Sequence, residues 1–148
     1  MTYSDRELLA RLIQCEAGGE GEAGMRAVAS VVMNRVRATT GEFARVSQGG
    51  SIRNIIYQQR QFVCAQTSVN GVYNPQNIYN MTPEAIHYEI ADWAIAGNVL
   101  LGVDHSLFFF NPYSEECPPY FPPVQIGVIH TRVGEHCFYI PTAKYDLT

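Results

Sequence analysis

Glu16 is the residue of this chain whose position most needs a chemical explanation. It stands in "QCEAGGEGEAG" (14–24), where an apolar helical pattern gives way to glycine. A carboxylate in the last turn of a helix lies beside unpaired carbonyls carrying roughly half a negative charge, and Lys or Arg would suit that end better. Apolar neighbours, Ile13 and the helix that follows, disfavour the charged form further. Both influences raise the pKa, which is what a general acid working near neutrality requires. Glu16 is therefore the candidate catalytic acid. Glu20 and Glu22 fall near the start of the next helix, where the dipole favours acids and no catalytic role is needed.

Glycosidic cleavage commonly uses two carboxyls, about 5 Å apart for retention or about 6.5–9.5 Å apart for inversion. Glu20, Glu22, Glu89, Asp92 and Asp104 are the available partners, and spacing singles out none. One acid suffices when a hydroxyl of the substrate attacks the anomeric carbon, because the same glutamate can protonate the leaving oxygen and then deprotonate the nucleophile. His87, His105, His130 and His136, with Cys137, match neither HExxH nor a paired-cysteine zinc site. They read as structural, and neither a metal nor another cofactor is expected. A Cys–His hydrolase would draw on Cys15 or Cys64, but Cys15 adjoins Glu16 and a helix C-terminus, which oppose thiolate formation. The four cysteines read as reduced, buried thiols, with Cys117 and Cys137 the first pair to check for a bridge. The segments "FFFNPY", "PPYFPP" and "CFYIP" could line a groove on which sugar rings stack, with Asn111 as polar anchor where a strand meets Pro112.

The elements that must position these groups follow from pattern. Ser4 with Glu7 three residues later is a capping-box signature, and Leu8, Leu9, Leu12, Ile13 and Cys15 continue as an apolar stripe, so a helix is expected from about Asp5 to Glu16 or Ala17. Gly18 and Gly19 supply left-handed backbone to end it. A second helix, about Glu22 to Ala38, is apolar over more than half its circumference and reads as central and buried. A polar loop covers 39–50, a short helix opens at Ser51, and 59–77 is extended or irregular with turns at "NG" and "NP". Thr82 as cap, Pro83 in the first turn and Gly97 as stop define another helix. A strand "SLFFFNP", a rigid "CPPYFPP" loop and a hairpin through "GE" close the chain. The expectation is one α+β domain over 1–148, mainly helical with a small β element near the C-terminus.

The bulk properties bound the function. The chain has 148 residues, is 47% hydrophobic and 16% charged, enough for one folded core. Residues 26–60 carry six arginines against Glu42 alone, which could attract an anionic polymer, but a solvated helix face is the simpler reading and no nucleic-acid partner is expected. The N-terminus has no signal-peptide pattern and no apolar run approaches the ~20 residues of a membrane span, so synthesis in the cytosol is expected.

The stretches "EAGGEGEAGMRAVASVVMNRV", "IYQQRQF", "FFFNP" and "HCFYIPT" follow the order seen in the SleB/CwlJ cell-wall hydrolase family, the spore cortex-lytic enzymes. The resemblance runs from about Leu8 to Thr142 and is nearer the CwlJ branch, given the ending and the lack of a signal peptide or peptidoglycan-binding repeat. It implies a lysozyme-like domain related to lytic transglycosylases, with Glu16 as the catalytic acid. It also implies a substrate-binding set of Tyr57, Gln61, Phe62, Asn111 and His136. The implied substrate is the glycan strand of spore cortex peptidoglycan, cut during germination in the coat and cortex region, with a spore-coat protein as possible partner. Gln59–Arg60 departs from the family's usual Pro or Ala, and Arg60 could alter which strands are accepted. The alternatives are a non-catalytic coat or wall-binding protein and a Cys–His peptidase acting on peptide stems.

Overall fold

In the computed structural model, which describes residues 2–148, helix α1 (Asp5–Ala17) begins where Ser4 Oγ accepts the Glu7 amide at 3.1 Å. Its Leu8, Leu9, Leu12 and Ile13 are fully buried. They pack against α2 (Gly21–Val36), which is buried on nearly all sides as its apolar circumference requires. The turn between them differs from expectation. Gly18 keeps right-handed backbone and bonds to the Gln14 carbonyl, and the left-handed residue is Gly21, at φ +79°. The helix therefore ends on an ordinary α-helical bond, and the chain reverses three residues later.

Residues 39–50 are not a loop throughout, since α3 spans Gly41–Ser47. Its polar composition hides one anchor: Phe43 is buried, with its ring centroid 5.8 Å from Tyr145 and 5.9 Å from Phe108. Tertiary packing supplies what local pattern lacked. α4 (Ile52–Ile56) follows its Ser51 cap, whose Oγ accepts the Asn54 amide at 3.0 Å. The irregular stretch contains a one-turn 3-10 helix at Val63–Ala65 and a small hairpin, β1 (Ser68–Val69) and β2 (Val72–Tyr73), reversed at Asn70–Gly71. α5 (Ala85–Ile95) starts later than Thr82 and Pro83 suggest. Glu84 is its cap, with His87 Nδ1 accepting the Glu84 amide at 2.9 Å, a reciprocal pair that fixes the first turn two residues on.

β3 (Phe108–Phe110), β4 (Gly127–Val133) and β5 (His136–Pro141) form an antiparallel sheet in the order β3-β5-β4. Phe109 pairs with Phe138 and Phe110 with Cys137. Cys137, Phe138 and Tyr139 of the central strand are completely buried, which ties the sheet to the helical core. Two disulfides, Cys15–Cys64 and Cys117–Cys137, replace the four expected thiols. The reason is topological: each bridge joins a regular element to an irregular segment that has few backbone bonds of its own. Among the described residues, no helix is long and apolar enough to cross a membrane.

Candidate active site

Glu16 lies in the last turn of α1, half-buried, at the meeting point of two cavities. One is a groove of about 370 Å³ walled by aromatic rings; the other, of about 460 Å³, is lined by polar groups of α1, Gln76 and the start of α5. Burial pushes the Glu16 carboxyl up to about 7, opposed by the Cys64 amide and by Arg35. At neutral pH the group is thus close to half protonated, the condition for giving and then taking a proton.

Of the sequence-derived binding set, Gln61, Phe62, Asn111 and His136 line the aromatic groove with Glu16. Tyr57 does not. Its hydroxyl pairs with that of Tyr79 at 2.9 Å, outside the groove, and burial pushes its pKa up to about 12. The family resemblance placed Tyr57 by motif adjacency to Gln61, but the turn after α4 separates the two.

Arg35 completes the groove, although its place on a helix of apolar pattern does not mark it as a site residue. Its guanidinium is buried in α2, where Nε donates to the Leu107 carbonyl at 2.7 Å and Nη1 donates to Gln61 Oε1 at 3.2 Å. The rings of Phe43 and Phe62 face its Cζ at 4.5 and 5.1 Å. Desolvation lowers its pKa to about 10, while Glu42 and Glu16 pull the other way. No carboxylate forms a salt bridge with it among the described residues, so a negative charge on Glu16 would be its nearest compensation within the groove. The signal was a charged residue within "SVVMNRV", on a helix already read as buried.

No second carboxyl lines the aromatic groove among the described residues. Asp92 is held by Arg6 at 2.6 Å, and Asp104 by His130 at 2.9 Å. Glu20 is turned to the β4–β5 turn, where Oε1 meets His136 Nδ1 at 2.8 Å and the Glu135 amide at 3.1 Å. The basic stretch is also accounted for: Arg26 pairs with Glu22 and covers Trp93, Arg37 and Arg45 donate to carbonyls, and Arg53 donates to the Tyr3 carbonyl. Arg60, with left-handed backbone at φ 65°, lines the groove. Cys15 and Cys64 are joined to each other, so neither is a free nucleophile. A larger cavity of about 660 Å³, bounded by Asn34, Leu101, Asp104, His105, His130 and Ile140, does not include Glu16. It holds no acid with a raised pKa, so the Glu16 cleft is the better catalytic candidate.

The cleft sits on an α+β, lysozyme-like frame, a fold shared by enzymes that act on glycans. The chain belongs to the cell wall hydrolase family, whose profile matches residues 19–139. It is 32% identical over 145 residues to the cell wall hydrolase CwlJ of Bacillus subtilis (strain 168), covering 97% of this chain and 89% of that protein. The CwlJ of Oceanobacillus iheyensis is likewise 32% identical, over 139 residues. The fold matches the catalytic domain of the germination-specific lytic transglycosylase SleB from Bacillus anthracis, with a TM-score of 0.65 at 23% identity over 93% of this chain and 96% of that one. The SleB catalytic domain of Bacillus cereus gives 0.66 at 24% identity, covering 93% of this chain and 92% of that one. The profile match begins three residues after Glu16.

Proposed function

We propose that this protein cleaves the glycan strand of peptidoglycan as a lytic transglycosylase, with Glu16 as its single acid and base. The observation that carries the reading is the position of Glu16: one carboxyl with a pKa near 7 at the junction of two cavities. A polymer must extend on both sides of the bond being cut, and the paired cavities give it room to do so.

Protonated Glu16 gives its proton to the glycosidic oxygen as the bond to the anomeric carbon breaks. The resulting carboxylate is stabilised by the Arg35 charge and the Cys64 amide. The C6 hydroxyl of the muramyl residue then attacks the anomeric carbon and gives its proton to Glu16, closing a 1,6-anhydro ring and regenerating the acid. The aromatic groove holds no carboxyl besides Glu16, and Glu84 of the second cavity is engaged in capping α5, which favours this route because hydrolysis needs a group to activate water. Arg35 holds Gln61 by its carbonyl oxygen, which leaves the Gln61 amide nitrogen to donate to an acetamido oxygen of the sugar. Phe62, Asn111 and His136 line the same groove and would contact the strand.

The germination-specific name of one structural relative and the cell-wall name of a sequence relative fit a role in germination. The spore cortex as substrate, the coat and cortex region as location and a spore-coat protein as partner are proposed on the family resemblance. Incubating purified cortex with the wild type and with Glu16→Gln tests the reading. Soluble muropeptides should come from the wild type alone; equal release by both would overturn it, and release by neither would favour a wall-binding protein.

A second reading has one observation in its favour. The Glu20 carboxylate fixes His136 Nδ1, an arrangement that would let the other ring nitrogen activate water. The enzyme would then be a hydrolase, with Glu16 still the acid.

A further inference from the structure

The segment that forms one wall of the cleft has little regular structure of its own. After α4 the chain passes through turns at 57–61, with Arg60 in left-handed backbone, and reaches one turn of 3-10 helix at Val63–Ala65. Yet it contributes Arg60, Gln61, Phe62 and Val63 to the groove and the Cys64 amide to the Glu16 carboxyl. Its covalent tie to the rest of the molecule is the Cys15–Cys64 bridge, whose other half is the residue before Glu16. Both sulfur-bearing residues are buried, and helix α1 holds Cys15 rigidly.

We propose that the Cys15–Cys64 disulfide is a positioning element of the active site: it clamps the 61–64 wall against Glu16, excluding water and directing the Cys64 amide at the carboxyl. This deepens the Glu16 reading and rests on it for its catalytic consequence. Opening the bridge lets the wall move away and water reach the carboxyl. Losing the Cys64 amide alone would raise the pKa, but desolvation is the larger influence. The hydration gained therefore returns Glu16 toward the ordinary carboxylate range and deprives it of its proton at neutral pH. A dithiol does this in a balanced step: the S–S bond takes up two electrons and two protons to give two thiols, and the dithiol closes to a cyclic disulfide. The charged or titratable groups around Glu16 are Arg35 from α2, Arg60 from the wall, Tyr113 after β3 and His136 from β5 on the groove side, with Glu84 and His87 of α5 across the second cavity. None of these other than Arg60 moves with the wall, so the shift reports the clamp.

Carbon-detected NMR titration of the Glu16 side-chain carboxyl is the test, on the full chain in three forms: wild type, Cys15→Ala/Cys64→Ala, and Cys117→Ala/Cys137→Ala. Circular dichroism establishes that each is folded, and wild type treated with dithiothreitol provides a second route to the open bridge should the first variant fail to fold. Loss of the Cys15–Cys64 bridge should lower the Glu16 pKa by a unit or more and accelerate exchange of the Cys64 amide, whereas the Cys117→Ala/Cys137→Ala control keeps the wild-type titration. An unchanged or raised Glu16 pKa on opening the bridge overturns the proposal. The titration does not depend on turnover, so the two ideas fail separately: a shift without muropeptide release would sink the proposed function and leave the clamp standing. Glu16-dependent release with no shift would sink the clamp alone.

Discussion

Glu20 Oε1 lies 2.8 Å from His136 Nδ1, and both side chains are largely shielded from solvent. One carboxylate at the start of α2 therefore holds a ring that lines the groove and, through the Glu135 amide, the turn that carries it. Gly24 permits this, since a Cβ there would stand 2.4 Å from the Glu20 Cβ. Replacing Glu20 by Ala frees the ring and strips the partner from a half-buried imidazole. The expected result is a loss of about 1–3 kcal/mol in stability, and a KM for glycan strands that rises more than kcat falls. Thermal melting and steady-state kinetics check the two parts. If His136 is instead a base for water, kcat carries most of the loss.

Glu16→Gln removes the acid and keeps the shape. Turnover should fall by about 10²–10⁴. Stability should move the other way, because burying a carboxylate is costly and the amide has no charge to bury. A denaturant midpoint measured at pH 8 should rise in the variant.

The pH dependence follows from the same group. The unfolded Glu16 ionises near pH 4.5 and the folded one near 7. Below about pH 4.5 both states hold the proton, so the full stability is present. Between pH 4.5 and 7 the unfolded chain ionises first, and stability is lost as pH rises through that window, by roughly 2–3 kcal/mol. Glu16→Gln should flatten this slope, and the alkaline limb of kcat/KM should fall near pH 7.

Arg35→Met tests the buried cation. Without it the carboxylate form of Glu16 loses a stabilising charge, so its pKa should rise and the alkaline limb should move to higher pH. The rate should fall as well, since proton donation then leaves a less stable carboxylate. A pH–rate profile separates this from a purely structural defect, which would lower activity without moving the limb.

Tyr57→Phe should leave turnover within about twofold, because the Tyr57 hydroxyl is engaged with Tyr79 and lies outside the groove. Initial rates on cortex fragments decide it.

What the sequence made legible was local. The Ser4 cap, the apolar stripe of α1, the buried circumference of α2 and the Gly134–Glu135 reversal all rest on neighbours within one turn, and each appears where pattern places it. Glu16 stood out for the same reason, as an acid at the wrong end of a helix. Phe43 escaped notice because its partners, Tyr145 and Phe108, lie far along the chain. Cys117 and Cys137, which flank one C-terminal segment, are the pair the sequence singles out and do form a bridge, whereas Cys15–Cys64 and the Arg35–Gln61 contact escape it because they join segments whose proximity only the folded chain creates. At α5 the local signals competed, and the Glu84–His87 pair prevailed over Thr82 and Pro83.

The measurement that tests the central claim most directly is mass spectrometry of the chain ends that wild type and Glu16→Gln release from purified cortex. The account predicts 1,6-anhydro-muramyl ends from the wild type and none from the variant. Anhydro ends released equally by Glu16→Gln would contradict it outright. Reducing ends from the wild type alone would keep Glu16 as the acid but contradict the intramolecular attack, leaving His136 with Glu20 as the group to test next.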